Sequence, residues 1–152
     1  MAAPSIRPAT PSDLDTLAAL AIEAGQLFRS VGMPEVADHD PAWRGCVAAL
    51  VDSNAHIEQV SVAPAHARRG IGATLIGQVE AWGRSRGTPA TTLTTFRDVA
   101  WNGPYYARLG YREMAAAQIG AGLAATMDHE ASLPGIDAAR RCAMVKPKDP
   151  PG

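Results

Sequence analysis

The sequence predicts an α/β or α+β sheet protein, and three observations carry that expectation. Segments of β-like composition alternate with segments of helical periodicity along the chain. The best strand candidate, residues 56–62, passes through a short turn into Gly70-Ile71-Gly72 and at once into an apolar-periodic helix. The length of 152 residues, with 47% hydrophobic and 19% charged composition, suits one domain with a sizeable core. Residues 1–146 read as that single domain, and the proline-rich stretch 147–152 reads as a flexible tail.

Taken in order, residues 5–7 are a short strand candidate stopped by Pro8. Thr10-Pro11-Ser12-Asp13 carries helix-start chemistry, a hydroxyl or carboxylate cap with acid in the first turn. Leu14, Leu17, Ala18, Ala21, Ile22 and Gly25 fall on one helical face, and the helix is expected to run to about Arg29. Gly32 and Pro34 mark a break before a short second helix at 34–37, and 38–41 is loop-like. Residues 44–51 read as a buried strand. Asp52-Ser53-Asn54 is a turn signal, so this strand and the next should form a hairpin. Alternation over 56–62 puts His56, Glu58, Val60 and Val62 on one face and Ile57, Gln59 and Ser61 on the other.

After the glycines, Ile71, Leu75, Val79 and Trp82 keep helical spacing until Gly87 and Pro89. Residues 90–96 are threonine-rich and β-like. Asn102-Gly103-Pro104 is a helix entry with proline in the first turn, closed by Gly110. Residues 111–114 resume an extended segment, 115–132 are alanine-rich and partly helical, and 141–145 form a last strand.

Charge and composition exclude several functions. With a net charge of −1 and a pI near 6.4, no global field draws the chain to nucleic acid or to a membrane surface. Cys46 and Cys142 are far apart and lack metal-type spacing, which fits reduced thiols. His39, His66 and His129 do not cluster in sequence, so no metal is expected. No 18-residue apolar run and no secretory leader are evident, and a cytoplasmic protein is the expectation.

The stretch from Val62 to Ala73 has the strongest chemical character. A strand, a turn, Gly-x-Gly and a helix present free N–H groups to an anion, because the first N–H groups of a helix have no internal partners. Such a pattern also begins ordinary helices, so alone it names no ligand.

Three motifs in order supply more. Val62-x-Pro64 leading into Arg68-Arg69-Gly70-Ile71-Gly72 resembles the acetyl-coenzyme A loop of the GNAT N-acetyltransferases. Tyr106-x-x-x-Gly110-Tyr111 resembles that family's Tyr-x-x-x-Gly-Phe signature, and Ile6-Arg7-Pro8-Ala9-Thr10-x-x-Asp13 resembles a common opening for it. The resemblance covers nearly the whole chain. It implies the three-layer GNAT fold, a mixed and mostly antiparallel sheet flanked by helices. Two departures are visible. Ala67 stands where the family pattern has Arg or Gln, and there is room for only one strand between Pro41 and Asn54, so one N-terminal strand is expected to be missing. The first strand then needs another partner, or its edge needs a cover such as a second copy of the chain in a homodimer.

By this resemblance, acetyl-coenzyme A is the cosubstrate and a primary amine the acceptor, attacking the thioester directly; a small-molecule amine is favoured over a protein. An alkylamine of pKa about 10.4 is neutral in only ~1 molecule in 2,000 at pH 7, a handicap of roughly 4–5 kcal/mol. A base is therefore the group to look for. Glu58 is the first candidate and His56 the second, as relay or replacement. Tyr106 matches the tyrosine that donates to the coenzyme A sulfur. Backbone groups of Val60 and Val62 are expected along the pantetheine arm, with the Val62 N–H also placed to polarise the thioester carbonyl. Arg68, Arg69, Gly70, Ile71, Gly72, Ala73 and Thr74 are expected at the diphosphate, and Asn102 either caps its helix or meets the arm. Phe28, Met33, Glu35 and Trp101, with Glu58, are candidates to line the acceptor pocket, although such apolar side chains serve equally as core. The rival to an enzyme is a catalytically weak module that binds acyl-coenzyme A as sensor or scaffold.

Overall fold

The computed structural model describes residues 5–37 and 48–149. Strands β1 (Ala48–Val51) and β2 (Asn54–Ile57) pair antiparallel as the expected hairpin. Its turn residues, Asp52 and Ser53, have φ of 50° and 65°, as a type I′ connection requires. The Asp52 carboxylate secures this turn by accepting the Gly122 and Leu123 N–H groups at 2.8 and 2.9 Å. Those groups belong to the first turn of α5 (Ala121–Ala131), where a carboxylate also meets the helix dipole favourably.

From β2 the chain crosses through α3 (Ile71–Ser85) to β3 (Ala90–Phe96), which lies parallel to β2. Helix α4 (Gly103–Arg108) and the short β4 (Arg112–Glu113) follow, and α5 leads to β5 (Arg141–Pro147). β5 lies antiparallel between β3 and β4, giving the order β1-β2-β3-β5-β4. The sheet is mixed and mostly antiparallel.

Helices cover both faces. On one, Ile76 of α3 packs with Ile57, Leu93, Tyr111, Cys142 and Met144. Glu80 of α3 fastens this layer, accepting from the Tyr111 hydroxyl at 3.0 Å and from Lys146 Nζ at 3.1 Å. The alternate residues of β2 and β3, including His56, Thr92, Thr94 and Phe96, face the other way. There Phe96, Met33 and Val99 form a second cluster with Phe28 and Trp101. That cluster joins the sheet to α2 (Pro34–Ala37) and to the 3₁₀ turn Gln26–Val31 that follows α1 (Leu14–Gly25).

Several expectations are corrected. Residues 5–7 do not enter the sheet. Pro8 has no N–H to offer a ladder, and Arg7 instead pairs with Asp13 at 2.8 Å ahead of α1. That guanidinium, with the Thr10 N–H and hydroxyl, holds the Asp13 carboxyl well below the usual carboxylate range. With 5–7 outside the sheet, β1 is its outermost strand on that side among the described residues. The first helix leaves α geometry at Gly25, so Arg29 lies in the 3₁₀ turn, which Gly32 ends. Of the strand expected over 44–51, residues 44–47 lie outside the described residues, as do the loop at 38–41, His39 and Cys46. The strand expected over 56–62 ends at Ile57. At the other end, β5 runs through Pro147 and the Lys148 N–H donates to the Pro89 carbonyl at 2.8 Å, so the sheet holds the chain past residue 146.

Candidate active site

The site begins where β2 and β3 part. Their parallel pairing stops at Ile57 opposite Leu93, yet β3 continues to Phe96 because β5 still supports it on its other side. Among the described residues, 58–62 make no backbone–backbone hydrogen bond. The amide groups of Val60 and Val62 are thus left without chain partners where β3 runs on unpaired on this side. The expected alternation also breaks here. Val60 packs in the same cluster as Ile57, three residues before it, and Val62 approaches α3, so neither shares the face of His56.

The chain then turns through Pro64–His66 and enters the loop. Arg68 and Gly70 have φ of 61° and 75°, and this left-handed Gly70 is the residue from which α3 starts. The first helical bond is Thr74 N–H to the Gly70 carbonyl, at 3.0 Å. The N–H groups of Ile71, Gly72 and Ala73 have no backbone acceptor among the described residues. Free N–H groups, the positive end of a 15-residue helix and two adjacent arginines make this helix start favourable to an anion. Arg68 is exposed, and Arg69 Nη1 lies 3.0 Å from His66 Nδ1. The Thr74 hydroxyl is turned to its own helix, donating to the Gly70 carbonyl at 2.8 Å.

Helix α4 closes the same side. Tyr106 is half-buried, with Tyr105 and Tyr111 rings at 5.5 and 6.0 Å, edge to face. Burial, then the neighbouring Tyr105, push its phenol up to about 12. Asn102 does not cap α4 with its side chain. Its Oδ1 accepts from the Thr95 hydroxyl at 2.8 Å and from the Phe96 N–H at 3.4 Å, which pins α4 to the end of β3.

Across the sheet the surroundings are polar and closed. His56 is only 2% exposed, and its Nδ1 is hydrogen-bonded to the Thr92 hydroxyl at 2.9 Å. Burial lowers its pKa, against the opposing fields of Glu130 and Asp52. It can therefore reach a substrate only through other groups. Glu58, just past the last β2–β3 pair, is exposed and carries no hydrogen bond or ion pair among the described residues. Phe28 meets Phe96 at 5.5 Å and Trp101 at 5.7 Å in the cluster of the buried Met33, so these aromatics form one packed group. Glu35 is exposed on α2.

Sequence reasoning missed a network on this face. Glu130 accepts from the Thr94 hydroxyl at 2.6 Å and from Arg141 Nη2 at 2.7 Å, while Arg141 lies over the Phe96 ring at 4.8 Å. It also missed Tyr105, whose hydroxyl lies against Gly72. The only sequence signal for the network was the threonine-rich strand itself.

A split mixed sheet with a glycine-entered helix at the split has the acyl-coenzyme A N-acyltransferase fold. The chain matches the acetyltransferase (GNAT) family over residues 9–111 and belongs to that acyltransferase family. Its fold is similar to that of a GCN5-related N-acetyltransferase from Rhodopseudomonas palustris, at 19% identity and TM-score 0.66, covering 97% of this chain and 98% of the other. It is also similar to the PaiA N-acetyltransferase of Thermoplasma acidophilum in complex with coenzyme A, at 12% identity and TM-score 0.62, covering 93% and 97%. A Mycobacterium tuberculosis protein in complex with coenzyme A is similar at 19% identity and TM-score 0.57, covering 95% and 99%. At these identities the likeness speaks for the fold. Among the described residues, no helix is long and apolar enough to cross a membrane, and no group of three or more His, Cys, Asp or Glu gathers at a metal-binding distance.

Proposed function

We propose that the chain transfers acetyl from acetyl-coenzyme A to a primary amine, a small molecule rather than a protein, by direct attack. The observation that carries this is one juxtaposition: the unpaired stretch after Ile57 runs directly into the unpartnered N–H groups at the start of α3. A ligand with an amide-bearing arm and a diphosphate fits both, and two proteins of the same fold are in complex with coenzyme A. Acetyl-coenzyme A supplies the acetyl group as a thioester, already activated for attack.

The chain's residues then divide the work. The N–H groups of 69–73 and the Arg68 and Arg69 side chains hold the diphosphate. Val60 and Val62 pair their amide groups with the arm, as a third strand would, and the Val62 N–H polarises the thioester carbonyl. The Asn102 carbonyl oxygen is already engaged, which leaves its NH₂ for the arm. Glu58 takes the amine proton. His56 serves at most as a relay through Thr92, because it is buried. Tyr106 donates a hydrogen bond to the departing sulfur. With its phenol near 12 and a thiol near 8.5, complete proton transfer would be uphill by roughly 5 kcal/mol, so Tyr106 stabilises thiolate without giving up its proton. Phe28 and Trp101, over Met33, form the apolar side of the acceptor site.

A second reading, an acyl-coenzyme A sensor or scaffold, is favoured by the burial of His56, which leaves Glu58 as the one accessible candidate base. Thiol release from acetyl-coenzyme A across a panel of primary amines separates the two. Turnover with any amine supports the enzyme; tight cofactor binding with no turnover on the whole panel supports the sensor.

A further inference from the structure

From α4, Tyr105, the neighbour of the motif residue Tyr106, reaches Gly72 in the first turn of α3. A Cβ placed on Gly72 would lie 3.0 Å from the Tyr105 hydroxyl and 3.8 Å from Val62 Cγ2. The hydroxyl therefore occupies the corner between the end of the extended segment and the first turn of α3, where any Cβ at 72 would crowd it. It lies against Gly72, in the helix turn whose N–H groups have no backbone acceptor, and has no hydrogen-bond partner among the described residues. Two contacts hold the ring there: Tyr106 packs edge-on at 5.5 Å, and the Arg108 guanidinium lies 5.8 Å from its centroid. That guanidinium adds positive charge to the same corner. Burial raises the Tyr105 phenol, which keeps it a neutral O–H donor near pH 7. Meanwhile Ala67 leaves the loop without the Arg or Gln side chain that the family pattern has at this position.

Resting on the acetyl-coenzyme A reading above, we propose that the Tyr105 hydroxyl donates a hydrogen bond to the cosubstrate's diphosphate, supplying from α4 the side-chain donor that Ala67 cannot. Tyr105 is then a binding residue and Tyr106 the catalytic one, two adjacent phenols with different tasks.

Titration of wild type and Tyr105→Phe with three probes tests this: coenzyme A, 3′-phosphoadenosine 5′-diphosphate, and pantetheine measured by competition. The variant keeps the ring, its packing and the Arg108 contact. Affinity for the two diphosphate-bearing probes should fall about tenfold or more, as expected for a lost hydrogen bond to a charged group, while pantetheine changes less than about twofold. An equal loss on all three probes, a loss confined to pantetheine, or no loss at all overturns the proposal. If wild type binds coenzyme A and the variant binds it equally well, only the role of Tyr105 falls. If wild type binds none of the probes, the acetyl-coenzyme A reading falls with it.

Discussion

The two faces of the sheet at the β2–β3 split are built on different physics. On the α3–α4 side the unpartnered polar groups are backbone: unpaired strand amides, free helix N–H groups and a left-handed glycine. On the α5 side the polar groups are side chains already paired, with Thr94, Glu130, Arg141, Thr92 and His56 gathered into hydrogen-bonded pairs beneath aromatic packing. Backbone donors cost the fold little when unoccupied, since water satisfies them. A half-buried ion pair is different, because removing one partner strands the other. Substitutions at the glycine loop and helix start should therefore change ligand binding and spare stability, and those in the paired side chains of the second side should do the reverse.

The largest effect is expected from Gly72→Glu. A carboxylate in the first turn suits the helix dipole, so the fold should survive, but it occupies the anion cradle and displaces the Tyr105 hydroxyl. Coenzyme A binding should weaken by about two orders of magnitude or more at nearly constant Tm. Calorimetric titration showing near wild-type affinity would place the diphosphate elsewhere.

Next in size is Tyr106→Phe, expected to lower kcat about tenfold to a hundredfold with coenzyme A affinity nearly unchanged. Because its phenol sits near 12, wild type should show no falling alkaline limb below about pH 10 that the variant lacks. A limb near pH 9 that vanishes in Tyr106→Phe would mean that Tyr106 gives up its proton after all.

On the other face, Glu130→Gln should leave donor affinity intact and cost about 2 kcal/mol, roughly 4–8 °C in Tm. That figure is below the value for a fully buried pair because the Arg141 and Glu130 side chains remain 15% and 23% exposed. Thermal unfolding with and without coenzyme A reads both quantities, and a stable variant with damaged donor binding would break the division between faces.

The smallest effect concerns pH. The folded His56 pKa lies below its unfolded value near 6.5, so the unfolded chain takes the proton first. Its contribution to stability is present above pH 6.5 and is lost as pH falls through the folded pKa. His56→Gln, which keeps a polar partner for Thr92, should flatten the decline in Tm between about pH 7 and pH 5 relative to wild type. Parallel profiles would mean that His56 titrates alike in both states.

Much of the glycine loop and its surroundings was legible in the sequence alone. Gly70, Gly72 and the Tyr106-to-Gly110 spacing are local features, each required by the conformation of a few neighbouring residues. The Asp52-Ser53 turn was legible for the same reason, because two positive φ values favour short polar residues. Residues 5–7 misled because apolar alternation does not reveal whether a ladder partner exists. The end of β2 misled in the same way: the β-like composition continues to Val62, but pairing stops where β3 follows β5 instead.

By itself, then, the sequence determined the hairpin, the glycine-entered helix and the family of the chain, because short-range backbone requirements leave marks at fixed spacings. Tertiary structure alone decided that β2–β3 pairing ends at Ile57, that His56 is enclosed while Glu58 is not, and that Tyr105 meets Gly72. Each of these depends on residues brought together from separate elements, as when Thr94 meets Glu130 across 36 positions and Arg141 across 47. Contacts of that range are set by how helices and strands pack, and no local pattern encodes them.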